Sequence, residues 1–240
     1  MSVAIVGAGP GDPGLITVRA LELVQQCEVL VYDRLVSPEL VAKAVGAVRI
    51  ARDNLTQDEV NHALVHHGRL GRRVVRLKGG DPFLFGRGSE EVEALAAAGV
   101  RYEVVPGVST LTAVPGLAGI PLTARGVAAQ LTVVTGTSAD GGDLDYAQLA
   151  GTPGTLVVFM GLRRLETVAD NLILAGRAVD EPAAVVSRLS LPDAETRIGT
   201  LATIAGVARG MQTPAVVIVG HVVSHVHPAR LAAAMPPLRS

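Results

Sequence analysis

Residues 1–33 constrain the fold most strongly. An apolar run, Val3 to Val6, ends in a glycine-rich segment, Gly7 to Gly14, and a second apolar run, Val29 to Tyr32, closes the stretch. Short apolar runs bounded by turn residues are the pattern of buried strands. Between them Thr17 is placed to cap a helix whose apolar positions Ala20, Leu23, Val24 and Cys27 recur at helical spacing. Two strands joined through a helix run parallel, because the crossover returns the chain to the same edge of the sheet. The opening is therefore a βαβ unit, and the chain an α/β protein.

The pattern repeats. Ser37-Pro38 supplies an N-cap followed by the proline favoured at a first helical position. Thr56 with Glu59 makes a capping box ahead of Val60, Ala63 and Leu64. Val74 to Leu77 reads as a strand, Ser89 as the cap of a helix ended by Gly99, and Tyr102 to Val105 as the next strand. The uncharged stretch Val104 to Ala124 is interrupted by Pro106, Pro115 and Pro121 and by Gly107, Gly116 and Gly119, so it breaks into turns and is not a membrane span. Further on come strands at Leu131 to Thr135 and Leu156 to Phe159, a helix over Arg164 to Ala175 closed by Gly176, and strands at Ala183 to Ser187, Thr196 to Thr200 and Ala215 to Val219. Short links between these late strands predict a mixed sheet. The expected architecture is two α/β lobes, 1–121 with a mainly parallel sheet and 122–240 with a mixed sheet, helices on both faces, and a hinge near Ile120 to Arg125. The Pro-rich tail after Ala234 is expected to fray.

Composition narrows the function classes. A chain of 240 residues with formal charge −1 has no electrostatic bias toward nucleic acid or an anionic membrane. With aromatics at 2% and no tryptophan, base-stacking platforms are excluded as well. The single cysteine, Cys27, suits a reducing compartment, and no secretory pattern opens the sequence, so a cytoplasmic location is expected.

Two glycine loops carry the chemistry. The first, GAGPGDPG from Gly7 to Gly14, invites a dinucleotide reading, with Asp33 at the end of the second strand. That pattern needs a third glycine where Asp12 and Pro13 stand, and Pro10 removes an amide donor. An acidic, glycine-rich loop suits a cationic ligand better than a pyrophosphate. The second, RLKGGDPFLFGRG from Arg76 to Gly88, also leaves a strand, and Gly79 and Gly80 permit close backbone approach at the carboxyl end of the sheet. No Walker lysine with its Ser/Thr follows, so a triphosphate loop is a poor reading.

These loops, with VYDRLVSPEL at Val31 to Leu40, TQDEVN at Thr56 to Asn61, VRLKGGDPFLFGRGSEE at Val75 to Glu91, VVPGVS, AGIPLTARG, VVFMGL at Val157 to Leu162 and PAVVIVGHVV at Pro214 to Val223, resemble the uroporphyrinogen-III C-methyltransferases of the tetrapyrrole methylase family. The likeness is collinear over nearly the whole chain. It implies a two-lobed methylase, a homodimer, that holds S-adenosylmethionine in a cleft, releases S-adenosylhomocysteine and methylates uroporphyrinogen III twice to precorrin-2, toward sirohaem or cobalamin. It implies cofactor contacts at Pro10, Gly79, Gly80, Asp81, Leu84, Ser109, Thr110 and Met160, with Leu189 and Ala215 at matching positions in the second lobe. Asp33 is the implied base. Arg34, Lys78, Arg87 and Arg125 are candidates to bind the substrate's carboxylates on charge logic, since guanidinium groups capture carboxylates bidentately.

The chain also departs from the family pattern. Where a Gly-Lys-Arg motif with a proton-donating lysine is usual, it reads RIARDNLTQ from Arg49 to Gln57, and the position nearest that lysine is Arg52. Arginine does not give up its proton in a protein, so Arg52 stabilises charge or another group moves the proton. Thr123-Ala124-Arg125, Thr135-Gly136-Thr137 and Ser187-Arg188-Leu189-Ser190 replace histidine-bearing and Glu-Asn-Gly-Thr stretches. His62 and His66 lie four apart on a predicted helix without a third ligand, and His221, His225 and His227 are discounted likewise, so no metal is expected. Three alternatives stand beside the main reading: a methylase for a different precorrin, a non-catalytic paralogue that binds the cofactor, and a dinucleotide-dependent oxidoreductase, which Asp12 and Pro13 oppose.

Overall fold

The structure is a computed structural model that describes residues 2–136, 142–188 and 193–226. The chain divides into two compact units, Met1–Thr110 and Leu111–Ser240. The first holds β1 (Val3–Gly7), α1 (Val18–Gln26), β2 (Val29–Tyr32), α2 (Pro38–Ala42), β3 (Val48–Ala51), α3 (Gln57–Arg69), β4 (Val74–Lys78), α4 (Gly88–Ala97) and β5 (Tyr102–Val105), with α5 (Thr110–Leu117) starting at its last residue. Its five strands run in the order β3-β2-β4-β1-β5, all parallel.

Alternation along the strands builds two cores, one on each face of this sheet. Ala4, Val6, Leu30, Val75 and Leu77 pack with Ala20, Val24 and Leu40 beneath α1 and α2. Val3, Ile5, Val29, Val31 and Val74 pack with Val60, Leu64 and Leu95 beneath α3 and α4. Arg76 and Lys78 share parity with Val74, so they point into this second, α3/α4 face.

Local chemistry explains the helix starts. Thr17 accepts from the amide of Ala20, Ser37 from that of Glu39, and Thr56 and Glu59 close a reciprocal capping box. Ser89 does not cap α4. The cap and the helix start lie two residues earlier: the helix starts at Gly88, whose amide donates to Pro82 O, and its N-cap is Arg87 with φ 59° and no capping side chain. The tight 82–88 loop sets this start, since a Cβ on Gly88 would lie 2.5 Å from Pro82 O.

Residues 110–117 also differ from the expected turns. They form α5 with Pro115 inside it, where the ring costs one backbone bond within a short helix. The helix ends in a Schellman motif: Gly119 takes φ 75°, its amide donates to Gly116 O, and Ile120 N donates to Pro115 O.

The second unit contains β6 (Leu131–Thr135), α6 (Tyr146–Gly151), β7 (Thr155–Phe159), α7 (Leu165–Leu174), β8 (Pro182–Ser187), β9 (Glu195–Thr200), α8 (Ile204–Val207) and β10 (Ala215–Val219). Its sheet runs β6-β7-β10-β8-β9, with β6 and β7 parallel and β10 antiparallel to both of its neighbours. Val158, Val185 and Val217 face α7 and α8, and Val157, Ala184 and Ile218 face Val114, Ile120 and Val222. Among the described residues no helix is long and apolar enough to cross a membrane.

At the carboxyl edge of the first sheet three backbones meet with no room for a side chain. A Cβ on Gly107 would lie 2.2 Å from Gly80 O, and one on Gly7 would lie 2.5 Å from Gly107 Cα. Gly107→Ala is therefore expected to destabilise the chain by about 2 kcal/mol or more, as overpacking in a close contact does. Gly206→Ala, in open space in α8, is expected to raise stability by up to about 1 kcal/mol through helix propensity. Thermal melts of the two variants check both signs.

Candidate active site

The register of the first sheet assembles the site. Val31 lies beside Ile50 of β3 and beside Arg76 of β4. Continued by two residues, that register sets Arg52, Asp33 and Lys78 in one row across the carboxyl ends of three strands, all on the α3/α4 face. The amide of Asp33 donates to Leu77 O at 3.1 Å, which holds the row in place.

Charge is dense in this row. Arg76 Nη2 lies 2.5 Å from Asp33 Oδ1, Arg52 Nη1 3.9 Å from the same oxygen, and Lys78 Nζ 4.0 Å from Asp33 Oδ2. Behind them Glu91, in the first turn of α4, accepts from Arg76 Nε and Lys78 Nζ with one oxygen, each at 2.9 Å. Gln57, at the start of α3, accepts from Arg52 Nη2 at 3.1 Å and donates to Asn61 Oδ1 at 3.0 Å. Arg76, Lys78 and Glu91 are 0%, 1% and 0% exposed, whereas Asp33 and Arg52 are half-buried and reach the edge. Three cations against two carboxylates leave an excess of positive charge in this row. Removing one member of such a buried set typically costs about 3–5 kcal/mol, because the others stay desolvated and uncompensated.

Burial pushes the Lys78 ammonium below the ordinary lysine value, repulsion from Arg76 adds to this, and Glu91 and Asp33 pull it partly back. The structure thus places Lys78 inside the protein with its ammonium committed to Glu91, not on a surface where it could grip a substrate carboxylate. Arg87 is exposed and paired with Glu90 through two bonds of 2.8 and 2.6 Å, which raise its affinity for its proton and lower that of Glu90. Arg34 and Arg125 are exposed and have no ion-pair partner among the described residues.

The loop carboxylates have structural work. Asp12, expected to make the first loop receptive to a cation, is buried and caps a short 3-10 turn by accepting from Gly14 N at 2.7 Å. Asp81 accepts from Phe83 N at 2.9 Å and from Gly107 N at 3.1 Å, tying the loop after β4 to the loop after β5. Gly9 and Gly80 exchange backbone bonds of 3.3 and 2.7 Å.

Gly79 stands apart from this lattice. It is half-buried, its peptide groups have no hydrogen-bond partner among the described residues, and a Cβ there would meet only Leu35 Cβ, at 3.6 Å. A free amide and carbonyl beside space that a side chain would fill suit the amino-acid end of S-adenosylmethionine, which offers both donors and an acceptor carboxylate. The exposed Leu35 and the half-buried Leu84 supply apolar surface in the adjoining loops. In the second unit Met160 follows β7 with φ 53° and stands 51% exposed. A non-glycine residue held there is strained, and such strain is often kept for function. Ala215 opens β10 and is partly buried. Leu189 lies outside the described residues, as do Thr137, Ser190, His227 and the tail after Ala234.

Sequence reasoning did not give roles to Arg76, Glu91 or Gln57. The available signal was Arg76 and Lys78 two apart in an otherwise apolar strand, which puts two charges on one buried face and demands a buried counter-charge. Among the described residues no cluster of three metal-ligating side chains occurs.

Comparison with known proteins supports one lineage. The family described as Tetrapyrrole (Corrin/Porphyrin) Methylases matches residues 2–205. Siroheme synthase 1 of Yersinia enterocolitica is 44% identical over 238 residues, which cover 94% of this chain and 49% of that protein. The chain thus spans about half the length of the curated relatives it matches. Uroporphyrin-III C-methyl transferase of Thermus thermophilus, complexed with S-adenyl homocysteine, is 40% identical with a TM-score of 0.83, covering 93% of this chain and 99% of that one. A cobalt precorrin-4 methyltransferase is 30% identical with a TM-score of 0.86, covering 92% and 95%. By the family match over most of its length, and by these relatives, the chain belongs to the tetrapyrrole methylase family.

Proposed function

We propose that this chain is a cytoplasmic, homodimeric S-adenosylmethionine-dependent methyltransferase that methylates carbon atoms of uroporphyrinogen III twice, giving precorrin-2. The observation that carries the reading is Asp33: a half-buried carboxylate at the carboxyl end of β2, anchored on one oxygen by Arg76 and set in a row with Arg52 and Lys78. Support comes from the Thermus thermophilus protein, named a uroporphyrin-III C-methyl transferase and crystallised with S-adenyl homocysteine.

S-adenosylmethionine supplies a methyl group on a sulfonium centre, open to in-line attack by an electron-rich pyrrole carbon. The chain's task is then positioning and proton removal. The glycine edge formed by Gly79 and Gly80, with Pro10, Asp81, Leu84, Ser109 and Thr110 around it, is assigned to the cofactor in the first unit, and Met160 and Ala215 in the second. Asp33 takes the proton that leaves the ring system, at Oδ2. Arg52 keeps its own proton and stabilises charge. Arg34 and Arg125, exposed and without an ion-pair partner among the described residues, are assigned to substrate carboxylates, with Arg87 a third candidate once its pair with Glu90 opens.

A second reading, a methylase for a later precorrin, is favoured by the likeness to the cobalt precorrin-4 methyltransferase and by the replaced Gly-Lys-Arg motif. Labelled S-adenosylmethionine and freshly reduced uroporphyrinogen III separate the two. A product heavier by two methyl groups supports the proposal. Cofactor binding with no transfer to this substrate, and transfer to a later precorrin instead, replaces it with the second reading.

Asp33→Asn is expected to lower kcat about a hundredfold or more, the usual worth of a positioned general base, while S-adenosylhomocysteine binding measured by calorimetry is retained. Arg34→Ala and Arg125→Ala are expected to raise the KM for uroporphyrinogen III more than the Kd for the cofactor. The opposite pattern in either variant rejects that residue's assignment to the substrate.

A further inference from the structure

Glu91 is the wholly buried carboxylate of the charged row, and the proposed chemistry leaves it without a role. Its Oε1 accepts from Arg76 Nε and Lys78 Nζ, each at 2.9 Å, while its Oε2 is enclosed without a hydrogen-bond partner among the described residues. Both cations also face Asp33, but unequally. Arg76 reaches Asp33 Oδ1 at 2.5 Å, and Lys78 stays 4.0 Å from Asp33 Oδ2, beyond hydrogen-bond distance.

This division has a geometric cause. The guanidinium is planar, so fixing its Nε edge on Glu91 fixes the direction of the Nη2 that meets Asp33. The ammonium is compact and mobile on its stem, and Glu91 holds it at the rear of the row. As a result Oδ1 is the anchored oxygen of Asp33 and Oδ2 has no donor among the described residues. Without Glu91, Lys78 would be drawn onto Oδ2 by the nearest remaining carboxylate, and the ammonium would occupy the oxygen that has to accept a proton.

We propose that Glu91 is a positioning residue for Asp33: it orients Arg76 toward one carboxylate oxygen and holds Lys78 back from the other, which stays open as the proton acceptor. The inference rests on the reading of Asp33 as the base. The charged groups that face Asp33 are Arg52 from the segment after β3 and Arg76 and Lys78 from β4, with Glu91 from α4 behind them; Gln57, from α3, is neutral.

The test compares Glu91→Gln, Glu91→Gln/Lys78→Gln and Asp33→Asn in methyl transfer to uroporphyrinogen III, with S-adenosylhomocysteine binding as the check on folding. Glu91→Gln is expected to lower kcat about tenfold or more, since it obstructs a general base without removing it. The KM for substrate and the affinity for S-adenosylhomocysteine should stay within about twofold, which separates a kcat effect from lost binding. Removing the Lys78 ammonium in the double variant should restore much of the lost kcat, whereas a merely structural role predicts further loss.

Wild-type kcat in Glu91→Gln overturns the proposal, as does a double variant no more active than the single one. Should Glu91→Gln fail to fold, the charge-balanced double variant carries the test. Activity well above that of Asp33→Asn supports the proposal, and a fall to the Asp33→Asn level overturns it. Full activity in Asp33→Asn rejects the reading of Asp33 itself.

Discussion

Two cations on the interior face of a parallel strand set the terms for the rest of the first unit. Arg76 and Lys78 occupy positions that alternation reserves for apolar side chains, and at 0% and 1% exposure neither reaches water. Such groups persist only when paired and hydrogen-bonded. Glu91 from α4 and Asp33 from β2 meet that demand, so the packing of α4 on the sheet and the position of Asp33 follow from one electrostatic requirement. A residue proposed for proton transfer is thereby held by the same contacts that let the sheet close over its own charges.

The elements were largely legible in the sequence because each is encoded locally. Val29–Tyr32, Tyr102–Val105, Leu131–Thr135 and Ala215–Val219 have the bounds that apolar runs and turn residues assign, and Thr17, Ser37 and Thr56 cap as their hydroxyl chemistry directs. The start of α4 was not legible. A left-handed Arg87 and a tight loop onto Pro82 decide it, and these are contacts rather than propensities. For α5, the prolines and glycines that argue against a helix are outweighed by packing of Val114 and Ala118 in the core of the second unit.

The candidate site was legible only in part, for a related reason. Asp33 and Arg52 stand out as residues, and the motifs around them point to a family, but their adjacency depends on strand register. Nothing local announces that Ile50, Val31 and Arg76 sit side by side. Charge logic also treats every basic side chain near a loop as available. The structure sorts them: Lys78 is spent on Glu91, Arg87 on Glu90, and Arg34 and Arg125 remain at the surface. The acids of the loops are sorted too, Asp12 and Asp81 serving backbone amides.

The contact of Gly7, Gly80 and Gly107 bears on how such a fold diversifies. Where three main chains touch, sequence change has no small steps available, because even a methyl group at Gly107 would overlap a carbonyl. Larger side-chain changes are left to neighbours at the surface, such as Leu35 and Phe83, both exposed. The loops that meet at this edge therefore tolerate little change at their glycines, while their exposed tips can carry other side chains. Engineering of this chain toward other acceptors has the same division of territory: the glycine edge is a fixed template, and the exposed apolar tips are the variable surface.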